Sequence, residues 1–279
     1  MSRQTYNHSP DTAINFEVTG SGLRSLIFLH GFGASLETWR DVQPFLKLSA
    51  RMYFLDLKGF GLSSKPHDGQ YSLEDQADII TGFIAKYRLN DVVLVGHSYG
   101  GGVALVTFLS LVDSRQAELI SGIILIDTAS YPQGLPFFVE ALRKPIVSTV
   151  LLSWIPARIR AAYTLHRLFY RPQRVSSERI SRYARFFDLP GSHYAFAECA
   201  RQIIPKDIDR FVKRLSQIDT SVLILWGRND SVIPLVTGQR LSADIPKSIL
   251  VTVDDCGHIP HEEMPEETAR ALIQFMSQI

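Results

Sequence analysis

Hydrophobic residues return along this chain in two alternating rhythms. Short runs of aliphatic and β-branched residues are followed by longer segments in which apolar positions recur every three or four residues. Residues 13–18 and 25–29 read as strands, with Gly20-Ser21-Gly22 as the turn between them. Residues 51–55 form another strand, and residues 73–87 have helical spacing with Ser72 as N-cap and Asp75 at the capping-box position. Residues 91–95 are nearly continuously apolar, as a parallel strand covered on both faces should be. A buried helix over 101–112, a strand over 120–126, a strand over 221–225, a helix over 235–241, a strand over 249–253 and a helix over 265–279 complete the series. Strand and helix in alternation predict βαβ units and a mostly parallel sheet flanked by helices, an α/β fold.

Residues 131–210 interrupt that rhythm. They contain no convincing strand, are rich in arginine and aromatic residues, and carry 13 Lys and Arg against 6 Asp and Glu, a balance of +7. The rest of the chain has 16 against 22, a balance of −6. The expected organisation is a core built from residues 1–130 and 211–279, with residues 131–210 inserted as a helical cap over a site made by the sheet.

Composition narrows the function classes. With 279 residues, 46% hydrophobic and 20% charged, the chain can bury a sizeable core without disulfide or metal staples. A net charge of +1 argues against a dedicated nucleic-acid binder. Cys199 and Cys256 are expected to be free thiols. The first ten residues lack the apolar run of a secretory signal, and the longest nearly uncharged stretch, residues 145–156, falls short of the roughly 20 residues of a membrane span. A soluble, cytoplasmic protein is expected. The basic insertion leaves room for peripheral contact with an anionic membrane surface or for an anionic substrate.

The chemistry concentrates in Val92-Val93-Leu94-Val95-Gly96-His97-Ser98-Tyr99-Gly100-Gly101-Gly102. Here a buried strand runs into Gly-x-Ser-x-Gly and then into a helix. The glycines allow a turn sharp enough to lift Ser98 above the carboxyl end of the strand, with the helix N-terminus aimed at whatever reacts there. A serine hydroxyl is a poor nucleophile alone, so a base must lie beside it.

With this motif the sequence resembles the α/β-hydrolase superfamily over essentially its whole length. The matching pieces are His30-Gly31-Phe32-Gly33, Asp56-Leu57-Lys58-Gly59-Phe60-Gly61, Gly96-His97-Ser98-Tyr99-Gly100, Trp226-Gly227-Arg228-Asn229-Asp230 and Cys256-Gly257-His258, and their order fits the family. The resemblance implies Ser98 as nucleophile, His258 as base and Asp230 as the acid that orients it. Asp127, just after a strand, is a rival for the acid because the superfamily sometimes places it there. The backbone N–H groups of Phe32 and Tyr99 would bind the oxyanion, each worth about 3 kcal/mol in the transition state. His30 and His97 lie in turns where the family uses the histidine structurally. His8 sits in an N-terminal segment expected to be mobile, and His261 is a surface or packing residue.

The implied activity is hydrolysis of a small or medium carboxylic ester through an acyl-enzyme, with a small-molecule ester as partner and no cofactor. Ser98 stands where haloalkane dehalogenases and the related epoxide hydrolases have Asp. No dinucleotide fingerprint is complete, and His258-x-x-His261 is interrupted by Pro260, so neither a nucleotide cofactor nor a metal is indicated. Carbon–carbon hydrolysis of a dione-like acid, cofactor-free perhydrolysis and a non-catalytic receptor role remain as alternatives. Phe137, Phe138, Trp154, Tyr163, Phe169, Phe186 and Phe187 either line an apolar pocket or form the insertion's own core.

Overall fold

The computed structural model describes residues 2–132 and 134–279. Eight strands make one sheet: β1 (Ser2–Ser9), β2 (Thr12–Thr19), β3 (Ser25–Leu29), β4 (Arg51–Leu55), β5 (Val92–His97), β6 (Ile120–Ile126), β7 (Ser221–Gly227) and β8 (Ser248–Val253). They lie in the order β1-β2-β4-β3-β5-β6-β7-β8. β1 with β2 and β2 with β4 are antiparallel, and every other neighbouring pair is parallel. The chain moves from β3 to β4 on one side and later continues from β5 towards β8 on the other. The crevice beyond the carboxyl ends of β3 and β5 is therefore a topological switch point, where open α/β sheets bind ligands.

The helices are α1 (Leu73–Lys86), α2 (Tyr99–Asp113), α3 (Phe137–Arg143), α4 (Pro145–Trp154), α5 (Ala157–Leu168), α6 (Ser177–Ala184), α7 (Ser192–Gln202), α8 (Ile208–Arg214), α9 (Leu235–Asp244), α10 (Pro260–Glu263) and α11 (Pro265–Met276). The strands' two-residue period divides the core into layers. Ile27, Leu29, Leu94, Ile123 and Leu125 pack with Ile80 and Phe83 of α1 and Val103 and Phe108 of α2. Leu26, Phe28, Val93, Val95 and Ile124 face the other side, against Trp39 and Ala269, Leu272 and Phe275 of α11. α1 starts with the expected capping box: Ser72 accepts from the Asp75 N–H, and the Asp75 carboxylate accepts from the Ser72 N–H.

One expectation is corrected. The N-terminal segment forms β1, paired along its length with β2, and His8 lies within it. Ser-Arg-Gln-Thr-Tyr-Asn-His-Ser is polar throughout, so no hydrophobic alternation betrays a strand. Cross-strand pairing and a single aromatic anchor, Tyr6 packed on Phe83 and Tyr87 of the α1 region, hold it instead.

Between β6 and β7 the described residues form helices α3 to α8 and no strand. α3 packs on α4 and α7, and α5 on α6. This segment meets the sheet half through opposite charges. Arg179 bonds Asp41 at 2.5 Å and Glu262 at 2.8 Å, Arg182 bonds Asp41 at 2.9 Å, Arg185 bonds Glu37 at 2.6 Å and Arg171 bonds Asp255 at 2.5 Å. The +7 and −6 balances thus complement each other across a seam. Among the described residues no helix is long and apolar enough to cross a membrane.

Candidate active site

Ser98 occupies the turn between β5 and α2 with φ 51° and ψ −114°, a conformation that a non-glycine residue adopts only when its surroundings impose it. The surroundings do so tightly. A Cβ on Gly96 would come within 2.4 Å of the Gly100 carbonyl oxygen, and one on Gly100 within 2.2 Å of the Leu29 carbonyl oxygen. The Ser98 N–H donates to the Ile126 carbonyl at 2.9 Å, and its own carbonyl accepts from Gly101 at 3.0 Å and Ala129 at 3.2 Å.

The three side chains expected to act together meet. His258 Nε2 lies 3.0 Å from Ser98 Oγ, and its Nδ1 lies 2.7 Å from Asp230 Oδ2. With the Nδ1 proton donated to the Asp230 carboxylate, Nε2 can accept the Ser98 hydroxyl proton. The other Asp230 oxygen accepts from the Val232 N–H at 2.7 Å and the Ile233 N–H at 3.0 Å, which fixes the carboxylate's plane. Asp127 does not contact His258 Nδ1. Its Oδ1 accepts from the Gly227 N–H at 2.9 Å, bracing the strand end that leads to Asp230. Burial, followed by the neighbouring Asp230 charge, pushes its carboxyl well above the ordinary value.

Phe32 and Tyr99 are the residues whose backbone N–H groups are expected to bind an oxyanion. Phe32 and Tyr99 line the same cavity as Ser98 and His258, and among the described residues neither N–H finds a protein acceptor. Gly31 sits against the nucleophile turn, since a Cβ there would be 3.4 Å from the Ser98 Cβ and 2.7 Å from His97 Nδ1.

The remaining histidines divide by burial. His30 is fully buried, with Nδ1 donating to the Gly31 carbonyl at 2.8 Å and Nε2 accepting from the Leu57 N–H at 3.0 Å; burial lowers its pKa to about 4. His97 Nε2 donates to the His258 carbonyl at 2.8 Å, so it holds the backbone of the base. Burial and then the facing His261 and His258 rings keep His97 well below the ordinary histidine range. His261 is a packing residue: it lies against Trp39 at 4.4 Å, and its Nε2 meets Thr38 Oγ1 at 2.8 Å. Among the described residues, the one group with spacing suited to a metal is Asp127, Asp230 and His258, of which Asp230 and His258 are hydrogen-bonded to each other. Cys199 and Cys256 are buried free thiols.

Sequence reasoning did not foresee Glu263. Its carboxylate accepts from the Gly257 N–H at 2.8 Å and the Tyr170 N–H at 2.9 Å, while the His258 N–H donates to the Leu168 carbonyl at 2.8 Å. The loop of the base is thereby stitched to the end of α5, and a side chain on Gly257 would collide with that carbonyl at 2.4 Å. A lone Glu five residues after a histidine carries no signal, because the partner that ties it to the helical segment, Tyr170, is 93 residues away.

Above these groups lies a cavity of about 120 Å³ walled by both halves of the molecule. From the sheet half come Phe32, Ala129, Val232 and Ile259; from the helical segment come Phe138, Leu142, Leu152, Leu168, Phe187 and Phe196. Of the aromatics read from the sequence, Phe138 and Phe187 line it, whereas Phe169 and Phe186 are buried in packing. Phe137, Trp154 and Tyr163 are exposed, at 75%, 80% and 50%.

Residues 26–271 match the model of the alpha/beta hydrolase family, and the chain belongs to that family of hydrolases. It is 27% identical to the uncharacterized hydrolase YugF of Bacillus subtilis, over 91% of this chain and 90% of that protein. It is 26% identical to the 2-hydroxymuconate semialdehyde hydrolase of Pseudomonas sp. strain CF600, over 95% and 90% of the two chains. Among solved structures it is similar to a malate-bound thermophilic esterase from Thermogutta terrifontis, with a TM-score of 0.81 and 26% identity over 100% of this chain and 99% of the other.

Proposed function

We propose that the chain is a serine hydrolase that cleaves a small or medium carboxylic ester through an acyl-enzyme. The observation that carries this reading is the continuous line of hydrogen bonds from Ser98 Oγ through His258 to Asp230, opening into an apolar cavity. Ser98 Oγ attacks the carbonyl carbon as its proton passes to Nε2. The resulting imidazolium is held by Asp230, and the developing oxyanion takes the N–H groups of Phe32 and Tyr99. Collapse returns the proton to the leaving alcohol, and a water activated by the same imidazole then releases the acid. Similarity to the Thermogutta terrifontis esterase supports ester cleavage.

A second reading, hydrolysis of a carbon–carbon bond in a dione-like acid, is favoured by the similarity to 2-hydroxymuconate semialdehyde hydrolase. Both readings need the same three side chains, and they part on the substrate. The test is labelling with a fluorophosphonate, followed by turnover of p-nitrophenyl esters of graded chain length beside a ring-cleavage dienoate. Labelling should fall on Ser98, with an optimum among short to medium acyl chains, and Ser98→Ala should lower kcat by about four orders of magnitude or more. Rapid dienoate turnover with poor ester turnover would transfer the assignment to the second reading.

A further inference from the structure

Among the described residues that line the cavity there is one permanently charged side chain, Arg160, and no carboxylate. Arg160 sits on α5 and its side chain is 7% exposed. Its guanidinium has five N–H donors, and only part of that capacity is used. Nε donates to the Ile155 carbonyl at 2.8 Å, and Nη2 donates to Asp188 Oδ1. Nη1 is buried and has no hydrogen-bond partner. The plane lies over the Phe187 ring, 5.6 Å from its centroid, and Phe187 also lines the cavity.

This arrangement differs from that of the four arginines at the seam. Arg171, Arg179, Arg182 and Arg185 reach across the seam to carboxylates of the sheet half. Arg160 lines the cavity instead, and its counter-ion Asp188 has a side chain that is 53% exposed. Burial raises the Asp188 carboxyl, but the hydrogen bonds from His193 and Arg160 outweigh that and hold it below the ordinary value, so it stays ionised. Water screens the Asp188 charge on the outside, whereas apolar walls leave the guanidinium unscreened on the cavity side. Other polar groups in the wall are directed elsewhere: the Tyr183 hydroxyl donates to Glu262, and the Tyr99 hydroxyl to the Tyr71 carbonyl at 3.4 Å. Thr164, one turn along α5 from Arg160 and on the same helix face, also lines the cavity and adds a hydroxyl donor.

An unpaired donor on a buried cation is costly to leave unmade, and a substrate acceptor that reaches it is favoured for that reason. A planar, two-oxygen anion matches a guanidinium better than a single carbonyl does. We propose that Arg160, assisted by Thr164, is the receptor for a carboxylate that the substrate carries remote from its scissile carbonyl, so that the preferred substrates are acid-ended esters such as half-esters of dicarboxylic acids. The proposal rests on the serine-hydrolase reading and deepens it by naming the substrate class. Arg160 acts in binding and takes no part in the bond making at Ser98.

The test compares matched pairs of esters. One pair is the p-nitrophenyl half-ester of adipic acid and its methyl-ended counterpart of equal length; a second carries the carboxylate on the alcohol side. Wild type should favour the acid-ended member of at least one pair, and Arg160→Met should lower kcat/KM for that member by about 10- to 100-fold more than for the neutral ester. Arg160→Lys should recover only part, since it keeps the charge without the fork. Equal losses on both members of each pair in Arg160→Met, or no preference in wild type, would overturn the proposal and leave Arg160 as a staple to Asp188. Calorimetric binding of adipate to wild type and Arg160→Met separates the two layers of the argument. Arg160-dependent adipate binding in a protein that turns over no ester would refute the hydrolase reading and keep the subsite; absent binding would refute the subsite whatever the turnover.

Discussion

The sheet half of the molecule and the helical segment between β6 and β7 are built to different tolerances. Strands β3 and β5 are buried along their whole length, and the turn that leaves β5 has backbone contacts so close that glycine is required at Gly96 and Gly100. The helical segment is made of short helices, and it leaves Phe137, Ile146 and Trp154 at 75%, 82% and 80% exposure. Ion pairs, the bonds to the His258 loop and apolar contacts such as Phe196 on Phe60 hold it to the sheet half. The lesson is a division of labour. The side chains aligned for reaction stand on the rigid half, whereas most of the cavity wall, which decides what may approach them, belongs to the half with more exposed apolar surface.

The largest test of that division lies within the rigid half. Asp230→Asn should lower kcat by about four orders of magnitude, because an amide can present a donor to Nδ1 and favour the wrong imidazole tautomer. Asp127→Asn keeps an acceptor for the Gly227 N–H and should cost less than about tenfold, since Asp127 acts on the loop and has no hydrogen bond to the base. Steady-state kinetics on one p-nitrophenyl ester decides it. The reverse ranking would make Asp127 the working acid.

How much of this was legible in the sequence follows the same division. Periodicity located the strands from residue 13 onward and the intervening helices because their burial on one or both faces repeats in the letters. Boundaries slipped where geometry rather than hydropathy sets them: β5 runs on to His97 and α2 begins at Tyr99, so the sharp turn is confined to Ser98 itself. Ser98, His258 and Asp230, which the structure brings together, and Phe32 and Tyr99, which border the same cavity, each lie in a short local motif. Glu263, the cavity-facing Arg160 and the arginine seam were not legible. Glu263 reaches Tyr170 and the seam arginines reach Asp41 and Glu262, all distant in sequence; Arg160 lies in no motif, and an excess of +7 does not say which arginine pairs with which carboxylate.

The seam offers the next test. Glu262 has a fully buried side chain held by Arg179 at 2.8 Å, by Arg182 at 3.7 Å, and by hydrogen bonds from Thr38 and Tyr183. Arg179→Met would leave that buried carboxylate with its principal cation gone, at a cost of about 3 kcal/mol in unfolding free energy. Adding Glu262→Gln should recover part of the loss, because the remaining group is then neutral. Urea unfolding of the three proteins measures this. A change below about 0.5 kcal/mol for Arg179→Met would mean that the seam is electrostatically slack and that apolar contacts alone hold the two halves.

The smallest effect concerns the histidine at the same seam. His261 is fully buried among Trp39, His97 and Thr38, and the charged groups facing it are Asp41, Arg179 and Arg182. Burial is the main cause that lowers its pKa to about 3; the Asp41 charge opposes the shift, while His258, Arg179 and Arg182 reinforce it. In the unfolded chain a histidine titrates near 6.5. Between about pH 6.5 and pH 3 the unfolded state therefore binds one more proton at this residue than the folded state does. Stability rises with pH where the unfolded state holds more protons, so the His261 contribution is present above about pH 6.5 and is lost as the pH falls below it. The slope is about 1.4 kcal/mol per pH unit. His30, whose folded pKa is about 4, behaves in the same direction, but it is common to wild type and His261→Gln and cancels in their difference. Urea unfolding of both proteins at pH 7.5, 6 and 5 should show wild type losing stability relative to His261→Gln across the two lower values. Parallel curves would mean that the folded protein accepts a proton on His261 as readily as the unfolded chain does, and that the seam is open to water at this point.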